Sequence, residues 1–186
     1  PPTFWPSSKP RRPNHTEARV CRSPQRCQAC AAEGQLFNNV TMHSIITYID
    51  ASHRQQVIDL WKTVFGYEAA HNTPSLAIDK KLAVQDDLFF VAQDGNALVG
   101  TILAGYDGHR GWLYSVAVHP SHQGQGIGKA LIAHAERALA QRGCMKINLQ
   151  IVSSNESVSA FYKSIGYTVE PRISMGKLIS ANITPP

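Results

Sequence analysis

The feature that most constrains this chain is a strand running through a glycine-rich loop directly onto a helix. Val116-Ala117-Val118 is apolar and largely β-branched, and His119-Pro120-Ser121-His122 ends it. Gln123-Gly124-Gln125-Gly126-Ile127-Gly128-Lys129 then puts glycine at every second position, where the stripe Ile127, Leu131, Ala135 and Leu139 begins. Glycine lets a backbone approach a ligand closely, and the first N–H groups of a helix have no partner inside it. The combination predicts a cradle for an anion such as a phosphate. Two familiar cradles do not fit. A Walker A loop needs glycine where Gln123 stands and Ser or Thr where Ala130 stands. A dinucleotide fingerprint needs glycine where Lys129 stands.

The pattern around this segment is orderly from His43 onward. Ser44 to Ile49 is β-rich. Asp50 or Ser52 offers an N-cap for a helix carrying Val57, Leu60, Trp61 and Val64 at helical spacing, and Gly66 ends it. Gly66 to Pro74 reads as a loop, and Ser75 to Val84 as a weaker helix. Leu88 to Ala92 and Ala97 to Gly105 read as strands joined at Asp94-Gly95-Asn96. A turn from Tyr106 to Gly111 leads to the strand Trp112 to Val118, and Gly143 closes the helix that follows the glycine loop. Ile147 to Val152 is a strand. Val158, Phe161, Tyr162 and Ile165 mark a short amphipathic helix with Gly166 at its end. Tyr167 to Val169 and Ile173 to Ile179 are expected to finish the sheet. The order β-α-α-β-β-β-α-β-α-β-β implies a mixed α/β sandwich.

Composition matters chiefly in the first 42 residues, which hold six of the eleven prolines and three of the four cysteines. Lys9, Arg11, Arg12, Arg19, Arg22 and Arg26 stand there against Glu17 and Glu33, a net +4 of the total +5, which leaves about +1 for the other 144 residues. The nearly neutral body gives no electrostatic footprint for nucleic acid. Proline spread among polar and basic residues buries too little to offset chain entropy, so residues 1–42 are expected to form a flexible tail and 43–186 the functional domain. Residues 1–41 offer no periodic apolar face and are expected to be dispensable. The chain begins without Met, and Met42 stands one residue before the orderly region, so an upstream-extended or truncated start stands beside a functional arm as a reading of the tail. The start lacks a basic n-region and an apolar h-region, no apolar run reaches the ~18 residues of a membrane span, and four cysteines are too few for a disulfide scaffold. A cytoplasmic protein is the expectation. His15, Cys21, Cys27 and Cys30 lack the second half of a paired zinc site, so no metal is expected; Cys144, at a strand entry, reads as buried and inert.

Gln123, Gly126 and Gly128 after a valine-rich strand resemble the pyrophosphate loop of the GNAT superfamily of acyl-CoA-dependent N-acyltransferases. A second signature follows in the right order, an Asn leading an aromatic helix that ends in Gly-aromatic: Asn155-Glu156-Ser157-Val158-Ser159-Ala160-Phe161-Tyr162-Lys163-Ser164-Ile165-Gly166-Tyr167. Gly105-Tyr106-Asp107-Gly108-His109-Arg110-Gly111 is similar to the YpeA-type bacterial branch. The resemblance covers about Met42 to Ile179. It implies a GNAT fold, a mixed and mostly antiparallel sheet splayed between the fourth and fifth strands and flanked by helices.

It also implies a chemistry. Acetyl-CoA would be the co-substrate, its pantetheine arm lying against backbone groups of Val116, Ala117 and Val118. Its pyrophosphate would be held by N–H groups of Gln123, Gly124, Gln125, Gly126, Ile127, Gly128 and Lys129. Asn155, Phe161 and Tyr162 would wall the other side. A backbone N–H near Val118 would polarise the thioester carbonyl. By spacing alone Tyr162 is a core aromatic; in the family it corresponds to the tyrosine that protonates the leaving thiolate.

The departure is the base. Many relatives carry a glutamate on the strand before the Asn, where this chain has Gln150. His109, Tyr114, His119 or water are the substitutes, and the sequence does not choose among them. The implied activity is transfer of acetyl to a primary amine by direct attack. A CoA-holding sensor without turnover is the alternative that Gln150 keeps open. The implied partners are acetyl-CoA and an amine acceptor, either a small molecule or a protein amine, with no nucleic acid and no membrane; a homodimer is left open. Specificity for the acceptor is expected in the Gly66 to Pro74 loop and the Tyr106 to Arg110 turn, the variable kind of segment.

Overall fold

Five strands in the order β1-β2-β3-β4-β5 form one sheet with helices on both faces. A computed structural model of the chain describes residues 43–66 and 73–179. The basic tail with its three cysteines, and most of the loop after Gly66, lie outside the described residues. The elements are β1 (Ser44–Thr47), α1 (Asp50–Phe65), α2 (Pro74–Val84), β2 (Phe89–Asp94), β3 (Ala97–Tyr106), β4 (Gly111–Val118), α3 (Ile127–Gln141), β5 (Ile147–Leu149) and α4 (Glu156–Ser164). Strands β1 to β4 pair antiparallel, and β5 joins β4 in parallel.

Strand alternation divides the core. Phe90 and Ala92 of β2 point to one face, Phe89 and Val91 to the other. On the first face lies α3, whose Ile127, Leu131, Ile132, Ala135 and Leu139 are buried, with α4 contributing Tyr162. Each fully buried Leu or Ile contributes about 1.5–3 kcal/mol, far more than helix propensity, so packing holds α3 in place. On the second face α1 buries Val57, Leu60 and Trp61, and α2 buries Ile78.

Three expectations are corrected. The N-cap of α1 is Ile49, not Asp50 or Ser52. Its N–H donates to Nδ1 of His53 at 2.9 Å, while the Asp50 carboxylate accepts from Tyr48 and Arg54. The strand expected to reach Val152 stops at Leu149. The two closing strands do not form: residues 167–179 carry no strand, and Ile173 and Met175 are 91% and 92% exposed. Pro171 has no N–H to give a ladder, and the segment is tied to β5 by side chains instead. Lys146 pairs with Glu170, Asn148 Nδ2 donates to Glu170 at 3.3 Å, and the Gln150 amide donates to Ser174.

Candidate active site

The site begins where β4 leaves β5. Pairing runs through Gly111–Ile147, Trp112–Asn148 and Leu113–Leu149, then stops, while β4 continues to Val118. A β-bulge stands at this point. On β3, Thr101 faces Ala117 and Leu103 faces Tyr114, so the single residue Ile102 is opposed by both Ser115 and Val116. Ser115 takes φ +50, a left-handed conformation that costs a non-glycine residue about 1–3 kcal/mol.

The extra residue switches which backbone groups face β5. Before it, Gly111 donates its N–H to Lys146 O at 2.8 Å, so odd residues point toward β5. After it, His119 donates to Val99 O at 2.8 Å, so odd residues point toward β3, and Val116 and Val118 turn their N–H and C=O into the gap. Gln123 Nε2 donates to Val118 O at 3.1 Å, so this side chain ties the loop to the strand end.

A short 3₁₀ turn, Pro120–His122, carries the chain from β4 to the glycine loop. Gly124 and Gly126 have φ +76 and +82, and a Cβ on either would meet nothing within 4 Å. Backbone conformation, not crowding, requires glycine there. Gly126 is the N-cap of α3 and no side chain caps that end, so the first-turn N–H groups keep their donor capacity for an anion. Ile127 is buried, which leaves only its backbone to take part, whereas Gln125 and Lys129 are exposed. Gly128, by contrast, has close neighbours. A Cβ there would stand 3.5 Å from Phe161 Cζ and 3.7 Å from Val118 Cγ2. The end of β4, the start of α3 and the aromatic face of α4 therefore converge at Gly128, in the first turn of the helix whose N-terminus is uncapped. A phosphate-bearing ligand fits this arrangement.

Asn155 is the N-cap of α4, its side-chain oxygen accepting from Val158 N at 3.2 Å and from Ser157 Oγ at 3.1 Å. Phe161 and Tyr162 stand 5.2 Å apart edge to face, and Tyr167 meets Tyr162 at 5.5 Å. Tyr162 is 7% exposed, and burial pushes its phenol up to about 12. At neutral pH it is a proton donor. The neighbouring Tyr167 hydroxyl already donates to Glu136 at 2.8 Å, whereas the Tyr162 hydroxyl has no such bond among the described residues.

The candidate bases separate by position. His109 sits on the β3–β4 turn, and the eight-residue strand puts it roughly 20 Å or more from Val118. Tyr114 lies on the α2 face with its ring 6.0 Å from Lys81 Nζ, and burial raises its pKa, so it holds its proton. His119 is at the correct end of β4, but its Nδ1 accepts from Ser121 N at 3.3 Å and contacts Ser121 Oγ at 2.7 Å. A neutral ring bonded in this way carries its proton on Nε2. Gln150 is exposed, with its amide on Ser174.

The bulge has no signal in the sequence, because Trp112, Leu113 and Tyr114 are all apolar and leave no alternation to break. In the structure Leu113, Val116 and Val118 share the α3 face. The step from 113 to 116 is three, where an unbroken strand advances by two.

The model of the acetyltransferase (GNAT) family matches residues 54–167. This chain belongs to that family. An acetyltransferase of Sodalis glossinidius is 40% identical over 119 residues, 64% of this chain and 83% of that protein. One of Yersinia enterocolitica is 36% identical over 132 residues, 71% of this chain and 93% of that one. Among solved structures, the PaiA N-acetyltransferase of Thermoplasma acidophilum in complex with coenzyme A superposes with a TM-score of 0.61 at 19% identity, covering 70% of this chain and 92% of its own, a likeness of fold. This GNAT protein is an acetyl-CoA-dependent N-acetyltransferase, and its relatives do not favour a sensor without turnover. Among the described residues no group of three or more His, Cys, Asp or Glu is placed to hold a metal, and no helix is long and apolar enough to cross a membrane.

Proposed function

We propose that the gap between β4 and β5 is the acetyl-CoA groove and that acetyl passes directly to a primary amine. The convergence of Val118, Gly128 and Phe161 carries this reading. Backbone groups of Val116 and Val118 bind the pantetheine arm like an added strand, with Ala117 between them. The N–H groups from Gln123 to Lys129, glycines 124, 126 and 128 included, hold the pyrophosphate. Asn155 and Phe161 form the far wall. The amine nitrogen attacks the thioester carbon, the C–N bond forms and the C–S bond breaks. Val118 N–H stabilises the carbonyl oxygen, and the Tyr162 hydroxyl hydrogen-bonds the departing sulfur. A panel of small-molecule and peptide amines, read by release of free CoA thiol, tests the reading. Acetyl-CoA binding without thiol release from any of them would favour the sensor instead.

Since no carboxylate stands at the Gln150 position, water is the base, and the acceptor must arrive as the free amine. A lysine-like amine of pKa about 10.4 is neutral in only about one molecule in 2,500 at pH 7, whereas an α-amine has a pKa near 8. For the first, kcat/KM is expected to rise about tenfold per pH unit from 7 to 9; for the second it should level off above about 8. The Tyr162 phenol, at about 12, stays protonated throughout, so nothing is lost on the alkaline side. One plateau near 6.5 for both acceptors would instead identify a histidine base.

The domain division is part of the proposal. A chain beginning at Met42 is expected to unfold as cooperatively as the full chain and to bind acetyl-CoA with the same affinity within error, by calorimetry. Acceptor choice is assigned to the Gly66 to Pro74 loop and the Tyr106 to Arg110 turn. The acceptor is a small-molecule or protein amine, in a cytoplasmic protein.

A further inference from the structure

The bulge that opens the groove has its own support. Ser115, the extra residue, is pulled out of the ladder, and its carbonyl is left for a side chain to satisfy. Thr101 does this from the neighbouring strand: its Oγ1 donates to Ser115 O at 3.1 Å. The same Oγ1 accepts from Trp61 Nε1 at 2.8 Å. Trp61 and Thr101 are both 0% exposed, so water cannot replace either bond. A hydroxyl that accepts from a donor with a single N–H is oriented to give its own proton elsewhere, and Ser115 O is where it points.

We propose that Thr101 is a positioning residue for acetyl-CoA, its hydrogen bond to Ser115 O holding the bulge and so setting which backbone groups of β4 face the groove. The inference rests on the reading of that groove as the acetyl-CoA site. Without the bulge, Ser115 and Ala117 would face the gap in place of Val116 and Val118, and the strand would carry its groups to the wrong positions. Thr101 touches neither acetyl-CoA nor acceptor in this scheme; it acts through Ser115.

Thr101→Val keeps the shape and removes the hydroxyl, while Thr101→Ser keeps the hydroxyl. Trp61→Phe removes the indole donor together with part of a buried ring and leaves the bond from Thr101 to Ser115. Acetyl-CoA affinity by calorimetry, kcat and KM with an amine acceptor, and Tm are measured on the full chain. Thr101→Val is expected to raise Kd and KM for acetyl-CoA about tenfold with kcat within threefold, and Thr101→Ser to restore Kd within twofold. Trp61→Phe should lower Tm yet keep Kd within threefold. If Thr101→Val alone does not fold, the double variant W61F/T101V, which leaves no indole N–H unpaired, is read against W61F and should bind about tenfold more weakly. Wild-type affinity in T101V, or equal affinity in W61F and the double variant, would overturn the proposal. So would Kd values that simply follow Tm across the series. Failure of the groove reading looks different: Gly126→Val would then leave acetyl-CoA binding intact, whereas failure of this inference leaves the Gly126 effect standing.

Discussion

Tyr162→Phe is expected to lower kcat about 10²-fold while leaving acetyl-CoA affinity within a factor of two. The ring is packed against Phe161 and Tyr167 and is 7% exposed, and phenylalanine preserves that packing. No hydrogen bond among the described residues is lost from the hydroxyl, so stability should change little. What disappears is a donor needed only as the C–S bond breaks. Acid catalysis is typically worth 10²–10⁴ in rate. Two magnitudes place this case at the low end. A thiol has a pKa near 8.5 and leaves readily, and a phenol near 12 is the weaker acid, so the hydroxyl serves by hydrogen-bonding the sulfur more than by surrendering its proton early. Steady-state rates set beside calorimetry on the same variant make the check. A variant with its full rate would leave Tyr162 as a packing residue only.

Gly126→Val is expected to weaken acetyl-CoA binding about 10²-fold and nearly to abolish its thermal stabilisation. Gly126 sits at φ +82, which a β-branched residue does not adopt without about 1–3 kcal/mol of strain. Relaxing that strain turns the first N–H groups of α3 away from a common centre, and each hydrogen bond lost to a charged group costs about 1.5–3 kcal/mol. At a ligand concentration 100 times the wild-type Kd, binding stabilises the wild type by about 2.7 kcal/mol and a hundredfold weaker variant by only about 0.4. Thermal melts with and without acetyl-CoA read this difference directly. Gly128 offers a graded control. Alanine there meets Phe161 and Val118 at ordinary contact distance and should be tolerated, whereas leucine has to enter the groove. An undiminished thermal shift in Gly126→Val and in Gly128→Leu would place the cradle elsewhere.

The parts of the fold that were legible in the sequence are those whose signal is local. The stripe of α3, the short amphipathic helix through Val158, Phe161 and Tyr162 and the glycine loop opening onto α3 each state themselves within a few residues, and all three elements stand as expected. The convergence of Gly128 on Phe161 was reachable only through the family resemblance, because the two are far apart in sequence and no periodicity links them. The closing strands at 167–169 and 173–179 were misjudged for the opposite reason. Their apolar alternation is local, but a strand needs a partner edge, and Pro171 with the side-chain ties to Lys146, Asn148 and Gln150 keeps the backbone out of the ladder. The N-cap of α1 went the same way, since nothing in Asp50 or Ser52 shows that His53 reaches back to Ile49. The base is left open by the sequence because Gln150, unlike a glutamate, cannot accept a proton, and no local signal chooses among His109, Tyr114, His119 and water.

Ser115 gives one stretch of this chain an unusual relation to insertion and deletion. From Tyr114 to Gln123 the molecule counts residues more strictly than it selects them. Exchanging one valine for another apolar residue on β4 alters a contact, whereas removing a single position rotates every later residue of the strand by half a turn, so that groups made for the groove are delivered to β3 and groups made for β3 to the groove. Divergence in this segment should therefore proceed by replacement at constant length, and variation in length should collect beyond it, in the turn before β4 and in the loop after Gly66.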